Sequence, residues 1–217
     1  MKKILLVVIV LVLSLTVCSS AKILPPEEIP ILTDDSAEAS GLNTLGILKG
    51  RGDGLFLDYP LTRAEAVVLI LRLFPDTPNS LGLPSPEFSD MDGHWAYKEV
   101  TAAKKMGLVD GTSSDKFTPD RNVSGKEFTK MLLSLLGYED VTIENAFDLG
   151  EKYEVISNNF TRSVVYDDRT LLRGDAARLC WSALIAKAAN GKMLYKNLID
   201  AGKYEEDDFY GVLFTLD

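Results

Sequence analysis

The sequence predicts a mainly α fold made of three copies of one helix–loop–helix unit, and three observations lead there. The first is self-similarity. "LGILKGRGDGLFLDYPLTRAE" (Leu45 to Glu65) lies beside "MGLVDGTSSDKFTPDRNVSGKE" (Met106 to Glu127), pairing Gly46 with Gly107, Gly50 with Gly111, Phe56 with Phe117 and Glu65 with Glu127 at an offset of about 61 to 62. A weaker copy follows about 48 residues later, where "YDDRTLLRGD" (Tyr166 to Asp175) matches "TPDRNVSGKE" and Asn159 falls opposite Gly111. Asn is the residue best able to replace Gly where the backbone turns left-handed. The second observation is that each loop ends in a helix-start signature followed by apolar residues at helical spacing. The third is that no stretch alternates as a strand with comparable strength.

The elements follow in order. Residues 1–21, "MKKILLVVIVLVLSLTVCSSA", have two lysines, an apolar run and a small-residue end, which predicts a secretory signal cleaved after Ala21. The run is too short for a comfortable membrane span. A rival reading makes Cys18 a lipid acceptor, although Val17 stands where Gly or Ala is usual. Residues 22–35 form a proline-rich acidic linker. The first unit, 36–75, carries the helix "RAEAVVLILRLF", apolar on most faces and expected at the centre. The second unit, 85–137, places Trp95, Val100, Ala103 and Met106 on one stripe. A loop with Phe117 and Pro119 follows, and then a helix with Phe128, Met131, Leu132, Leu135 and Leu136. The third, 141–189, is degenerate: an irregular first helix around Ile143, Ala146, Phe147 and Tyr153, then "RGDAARLCWSALIAKAA" with Ala177, Cys180, Trp181, Leu184 and Ile185 inward. The tail, 190–217, predicts a turn at Asn190-Gly191, a short helix near Met193 to Ala201 and an acidic aromatic end.

Composition narrows the function. The net charge of −9 becomes about −11 once Lys2 and Lys3 leave with the signal. Such a surface argues against nucleic acid and anionic lipid as partners. Cys180 is then the remaining cysteine, inside an apolar helical pattern, and is expected to be a small buried hydrophobe.

Thr62-Arg63-Ala64-Glu65 and Ser124-Gly125-Lys126-Glu127 are capping boxes, in which the hydroxyl accepts from a first-turn amide and the Glu reaches back to the cap. That explains Thr62, Glu65, Ser124 and Glu127 structurally. Arg63 is not explained by helix stability, because a cation at the first helical position opposes the macrodipole. It reads either as an ordinary ion-pairing surface residue or as recognition of an acidic ligand. Arg173 stands at the same place in the third unit, where Leu172 has replaced the hydroxyl; the second unit has Gly125 with Lys126 beside it.

"FSDMDGHWAYKEV" (Phe88 to Val100) holds the one histidine, and Asp90-x-Asp92-x-His94 has the look of a metal or acid–base centre. A transition-metal site lacks a second histidine or an available cysteine, and a calcium loop of the helix–loop–helix kind lacks its closing Glu. The simpler reading is a helix beginning at His94, capped by Asp92 or Gly93, with Trp95 anchored in the core and Asp90 bracing the turn. A serine or cysteine triad would need His94 as its base, with Cys180 buried, and no cofactor or metal is expected. Paired carboxylates for glycoside cleavage stay open in so acidic a chain.

At this point the residues resemble the S-layer homology family of bacterial surface proteins. The second unit matches nearly end to end, through Phe88 and Asp90, His94-Trp95-Ala96, Gly107-Leu108-Val109-x-Gly111 and Phe117-x-Pro119. The first keeps Gly46-Ile47-Leu48-x-Gly50 and "LTRAE", and the third keeps mainly its second helix. The resemblance implies three repeats around a pseudo-threefold axis and a central helical bundle. It also implies a secreted module that docks on pyruvylated polysaccharide of the cell wall, with other surface-layer proteins as further partners. Arg63 and Arg173, with Lys126, would then hold a ketal-pyruvate carboxylate at the mouth of a groove between repeats. Gly46, Gly50, Gly107 and Gly111 would let backbone amides approach the sugar. With Gly125 in the arginine position, the second unit's pocket departs from this pattern. The rival readings are a protein–protein scaffold that has lost the sugar site and, third, a glycan-active enzyme.

Overall fold

The computed structural model describes residues 36–74 and 88–213; the expected signal, the linker and Cys18 lie outside them. Among the described residues there are nine α-helices and no sheet, as a mainly α fold requires. They are α1 (Ala37–Thr44), α2 (Arg63–Arg72), α3 (Tyr97–Lys105), α4 (Gly125–Leu135), α5 (Ala146–Lys152), α6 (Asn159–Tyr166), α7 (Arg173–Ile185), α8 (Leu194–Asp200) and α9 (Glu206–Leu213). None is long and apolar enough to cross a membrane.

Helix starts follow local chemistry. Thr62 and Ser124 each accept from the amide three residues on, and Glu65 and Glu127 each accept from the cap amide, completing both boxes. At α7 the hydroxyl is missing, but half the box survives, because the Asp175 carboxylate accepts from the Leu172 amide at 3.0 Å. Gly46 and Gly107, at φ +69° and +72°, end α1 and α3 as left-handed residues.

The helix pairs are interlocked. α1 packs on α7, α3 on α2, and α5 and α6 on α4, so each peripheral helix covers a core helix from the segment before it, and α1 closes the circle. At the hub three extended residues hydrogen-bond in a ring: Leu61 N to Leu171 O, Leu171 N to Val123 O, and Val123 N to Leu61 O, each 2.9 Å. All three side chains are buried. A second ring surrounds it, from Arg63 N to Arg121 O, Gly125 N to Arg169 O and Arg173 N to Tyr59 O. Each segment therefore satisfies the orphan amide at the start of another segment's helix.

Four expectations are corrected. Trp95 is 62% exposed and does not anchor the core. The helix after it begins at Tyr97, with Ala96 as cap and no side-chain cap bond; the His94 Nδ1 accepts from the Ala96 amide at 3.1 Å instead. Asn159 is not a left-handed turn residue but the first residue of α6, whose Asn158 cap accepts from the Phe160 and Thr161 amides. Ile185, at the end of α7, is 41% exposed. Cys180 is fully buried, and burial pushes its thiol pKa up, so it is an inert core residue.

The tail is part of the fold. α8 packs on α7 and α9 on α1. Lys203 Nζ donates to the Arg72 and Phe74 carbonyls at the end of α2, and the Tyr204 hydroxyl donates to Leu45 O at 2.9 Å.

Candidate functional site

Arg63 lies in the interior, with 4% of its surface exposed. Its Nε donates to Phe117 O at 3.0 Å, Nη2 to Asp110 O at 3.0 Å and Nη1 to Glu127 Oε1 at 2.9 Å, and the guanidinium sits 4.5 Å over the Phe117 ring. Three of the five guanidinium N–H groups are thus used within the protein. Glu127 serves two ends at once, since Oε2 closes the Ser124 capping box while Oε1 receives Arg63 and Arg121. Burial pushes the Glu127 carboxyl up, but the hydrogen bonds from Arg121 and the Ser124 amide and the charge of Arg63 outweigh it and hold the pKa below the ordinary 4.5. The cap glutamate is therefore also the partner of the neighbouring segment's arginine.

Arg173 repeats this arrangement on the first segment. Its Nε donates to Leu55 O at 2.9 Å and Nη2 to Lys49 O at 2.8 Å, while Nη1 stands 3.9 Å from Glu65 Oε1, which also pairs with Arg51. These acceptors correct the register read from the sequence. Leu55, not Phe56, occupies the place of Phe117, and Phe56 matches Thr118, both with positive φ (52° and 55°). The loop of the second segment carries one extra residue between Gly111 and Phe117.

The third junction is closed. A Cβ on Gly125 would stand 2.5 Å from Val164 O and 3.0 Å from Val165 Cα, so α6 fills the space that an arginine and its loop occupy at the other two junctions. Glycine is needed there for close approach, and Lys126 turns instead to a backbone bond, its amide donating to Asp168 Oδ1 at 3.0 Å.

Two grooves remain beside the arginines. The first, of about 300 Å³, is lined by Arg63, Asp110, Gly111, Thr112, Glu127, Lys130 and Ile143, among others. Its charges are balanced: Asp110 already bridges Lys104 and Lys130, at 3.0 and 2.6 Å. The second, of about 150 Å³, brings Lys49, Arg51, Arg72 and Arg173 around one carboxylate, Glu65, with exposed Trp95 as a wall. Burial first, and then the charge of Arg173, lower the Arg72 pKa, as expected where cations crowd. Each groove holds one sequence-predicted arginine and one predicted glycine, Gly111 or Gly50. Gly46, Gly107 and Lys126 are not among the lining residues of either. Sequence reasoning missed Lys130, Arg72 and the groove position of Trp95; the cue was a large aromatic between a turn and a helix start. The arginines sit at the floor of their grooves and not at the mouth.

Asp90 braces a distant loop. Its carboxylate accepts from the Phe117 and Thr118 amides at 3.0 and 2.8 Å, and these bonds prevail over burial to lower its pKa. No cluster able to hold a metal ion occurs among the described residues.

The fold and grooves define an all-helical interlocked module with cationic floors. Residues 87–129 match the S-layer homology domain family model, so this stretch is similar to an S-layer homology domain. It is 30% identical over 54% of its length to a cell surface protein of Thermoanaerobacter kivui, covering 17% of that relative. It is 34% identical over 41% of its length to a cellulosome-anchoring protein of Acetivibrio thermocellus, covering 21% of it. An endoglucanase of a Bacillus species is 28% identical over 50% of this chain, with 11% of the enzyme covered. The chain thus spans 17% and 21% of the length of these first two relatives.

Proposed function

We propose that the protein is a non-catalytic anchoring module of the bacterial cell surface, built from three S-layer homology repeats and binding pyruvylated polysaccharide of the cell wall. The observation that carries this reading is the second groove, where four cationic residues and one acidic residue line the wall in a chain of net charge −9. A local cationic floor lets an acidic protein take an anionic polymer that its overall field would repel. Arg173 fixes the loop through the Lys49 and Leu55 carbonyls and adds positive charge at the base of the groove. Arg72 supplies a second guanidinium, and Trp95 offers a face for the apolar side of a sugar ring. Arg63 and Gly111 form the equivalent floor of the first groove, with Lys130 as the outer cation. The surface and anchoring names of the relatives support the same class. The small share of the endoglucanase that is covered fits a shared non-catalytic part.

The test uses Trp95→Ala, chosen because the side chain is exposed and its loss leaves the core intact. In a sedimentation assay with purified cell walls, the wild type is expected in the pellet, with Trp95→Ala shifted to the supernatant at unchanged thermal stability and Arg72→Ala, which also loses a hydrogen bond to Ile47 O, shifted likewise. Full retention of both variants would sink the groove assignment and favour a protein–protein scaffold.

A further inference from the structure

We infer that Asp110 is a specificity-determining residue that closes the first groove to acidic sugars, its own carboxylate standing there in the place of a ligand's acid. This inference rests on the proposed function. The two grooves share one frame, and equivalent bonds identify the residues that correspond. Arg63 Nη2 donates to the Asp110 carbonyl at 3.0 Å, and Arg173 Nη2 donates to the Lys49 carbonyl at 2.8 Å. Asp110 and Lys49 therefore hold the same station, each just ahead of its groove glycine, Gly111 or Gly50. The second groove has an ammonium at that station, and the first has a carboxylate.

The Asp110 side chain is held as a bound carboxylate would be. Its Oδ1 accepts from Lys104 Nζ at 3.0 Å and its Oδ2 from Lys130 Nζ at 2.6 Å, so each oxygen takes one ammonium. The two lysines come from different helices, α3 and α4. The bonds from Lys130 and Lys104 hold the Asp110 carboxyl below the ordinary 3.8 against partial burial, and it stays charged at neutral pH. A tethered carboxylate competes at an effective concentration on the order of millimolar. An incoming acid also meets a like charge, which costs binding. The other parts of a site are in place. Arg63 lies at the floor, and Ile143, 40% exposed, gives the apolar wall that Trp95 gives the second groove. One side chain thus separates a neutralised groove from a cationic one, and that side chain is exposed, so its replacement leaves the core intact.

The experiment is calorimetric, on the folded chain, with one defined probe: the methyl glycoside of a hexose bearing a 4,6-pyruvate ketal. Asp110→Asn keeps the shape of the side chain and removes its charge. The wild type is expected to take one probe per chain, and Asp110→Asn two. In Trp95→Ala, where the second groove is impaired, adding Asp110→Asn is expected to raise the affinity at least about tenfold. Adding Lys130→Ala to that double variant should abolish the gain. Unchanged stoichiometry in Asp110→Asn, no gain in the Trp95→Ala background, or a gain that survives Lys130→Ala overturns the role of Asp110 and leaves the anchoring function standing. A wild type that already takes two probes does the same. Absence of binding in the wild type and every variant overturns both.

Discussion

At the scale of single residues, Arg63 and Glu127 decide how the arginine signal is to be understood. The guanidinium satisfies the Phe117 and Asp110 carbonyls as well as Glu127, so Arg63→Ala leaves buried acceptors and a carboxylate without their partner. We expect a loss of about 3–5 kcal/mol in urea unfolding, and Arg63→Lys should not restore it, because an ammonium cannot span the same fork. Loss of binding in Arg63→Ala is meaningful only if the variant is still folded at the assay temperature. Glu127 gives the pH dependence. Its folded pKa lies below the ordinary 4.5, so its contribution is complete above that value and is lost as pH falls through the folded pKa. Glu127→Gln should be less stable at neutral pH, and its stability should fall less between pH 5 and 3 than that of the wild type. Gly125→Ala would raise helix propensity yet place a Cβ against Val164 O; a net loss of roughly 1–3 kcal/mol is expected, and a stabilised variant would show that the third junction is not tightly closed.

At the scale of elements, what the sequence revealed was what is local. The capping boxes of α2 and α4 depend on residues three apart, and both occur as read. The turn at Asn190-Gly191 and the helix after it, α8, also follow from neighbouring residues. The arginine partners were not legible, because their acceptors are backbone carbonyls 47 and 54 residues away in the chain. The place of Asn159 is set by the local cap at Asn158, which a match to the Gly111 loop does not reveal. Trp95 is exposed although its aromatic character suggests burial, and the buried residues near it in the chain are Ala96 and Val100. The tail also exceeds what its composition suggested. Lys203 caps the end of α2, so Lys203→Met should cost about 1.5–3 kcal/mol, the worth of hydrogen bonds to a charged donor. An unchanged denaturation midpoint would place the tail outside the folding unit.

At the scale of the whole molecule, three junctions related by a ring of hub hydrogen bonds have taken three different forms: one charge-balanced groove, one cationic groove and one closed by α6. The hub pattern was foreshadowed by the internal similarity of the sequence, but the inequality of the junctions was not, because it depends on which chain segments fill the spaces between helices. The inequality predicts that a single groove dominates binding, so affinity should fall with rising salt while stoichiometry stays near one acidic sugar per chain. The most direct measurement is a titration of the protein with purified wall polymer, once with its pyruvate ketals intact and once after mild acid has removed them. Intact polymer should bind with a Kd on the order of micromolar or tighter, and depyruvylated polymer should bind at least tenfold more weakly. Equal binding of the two polymers would contradict recognition of an acidic sugar by the cationic groove.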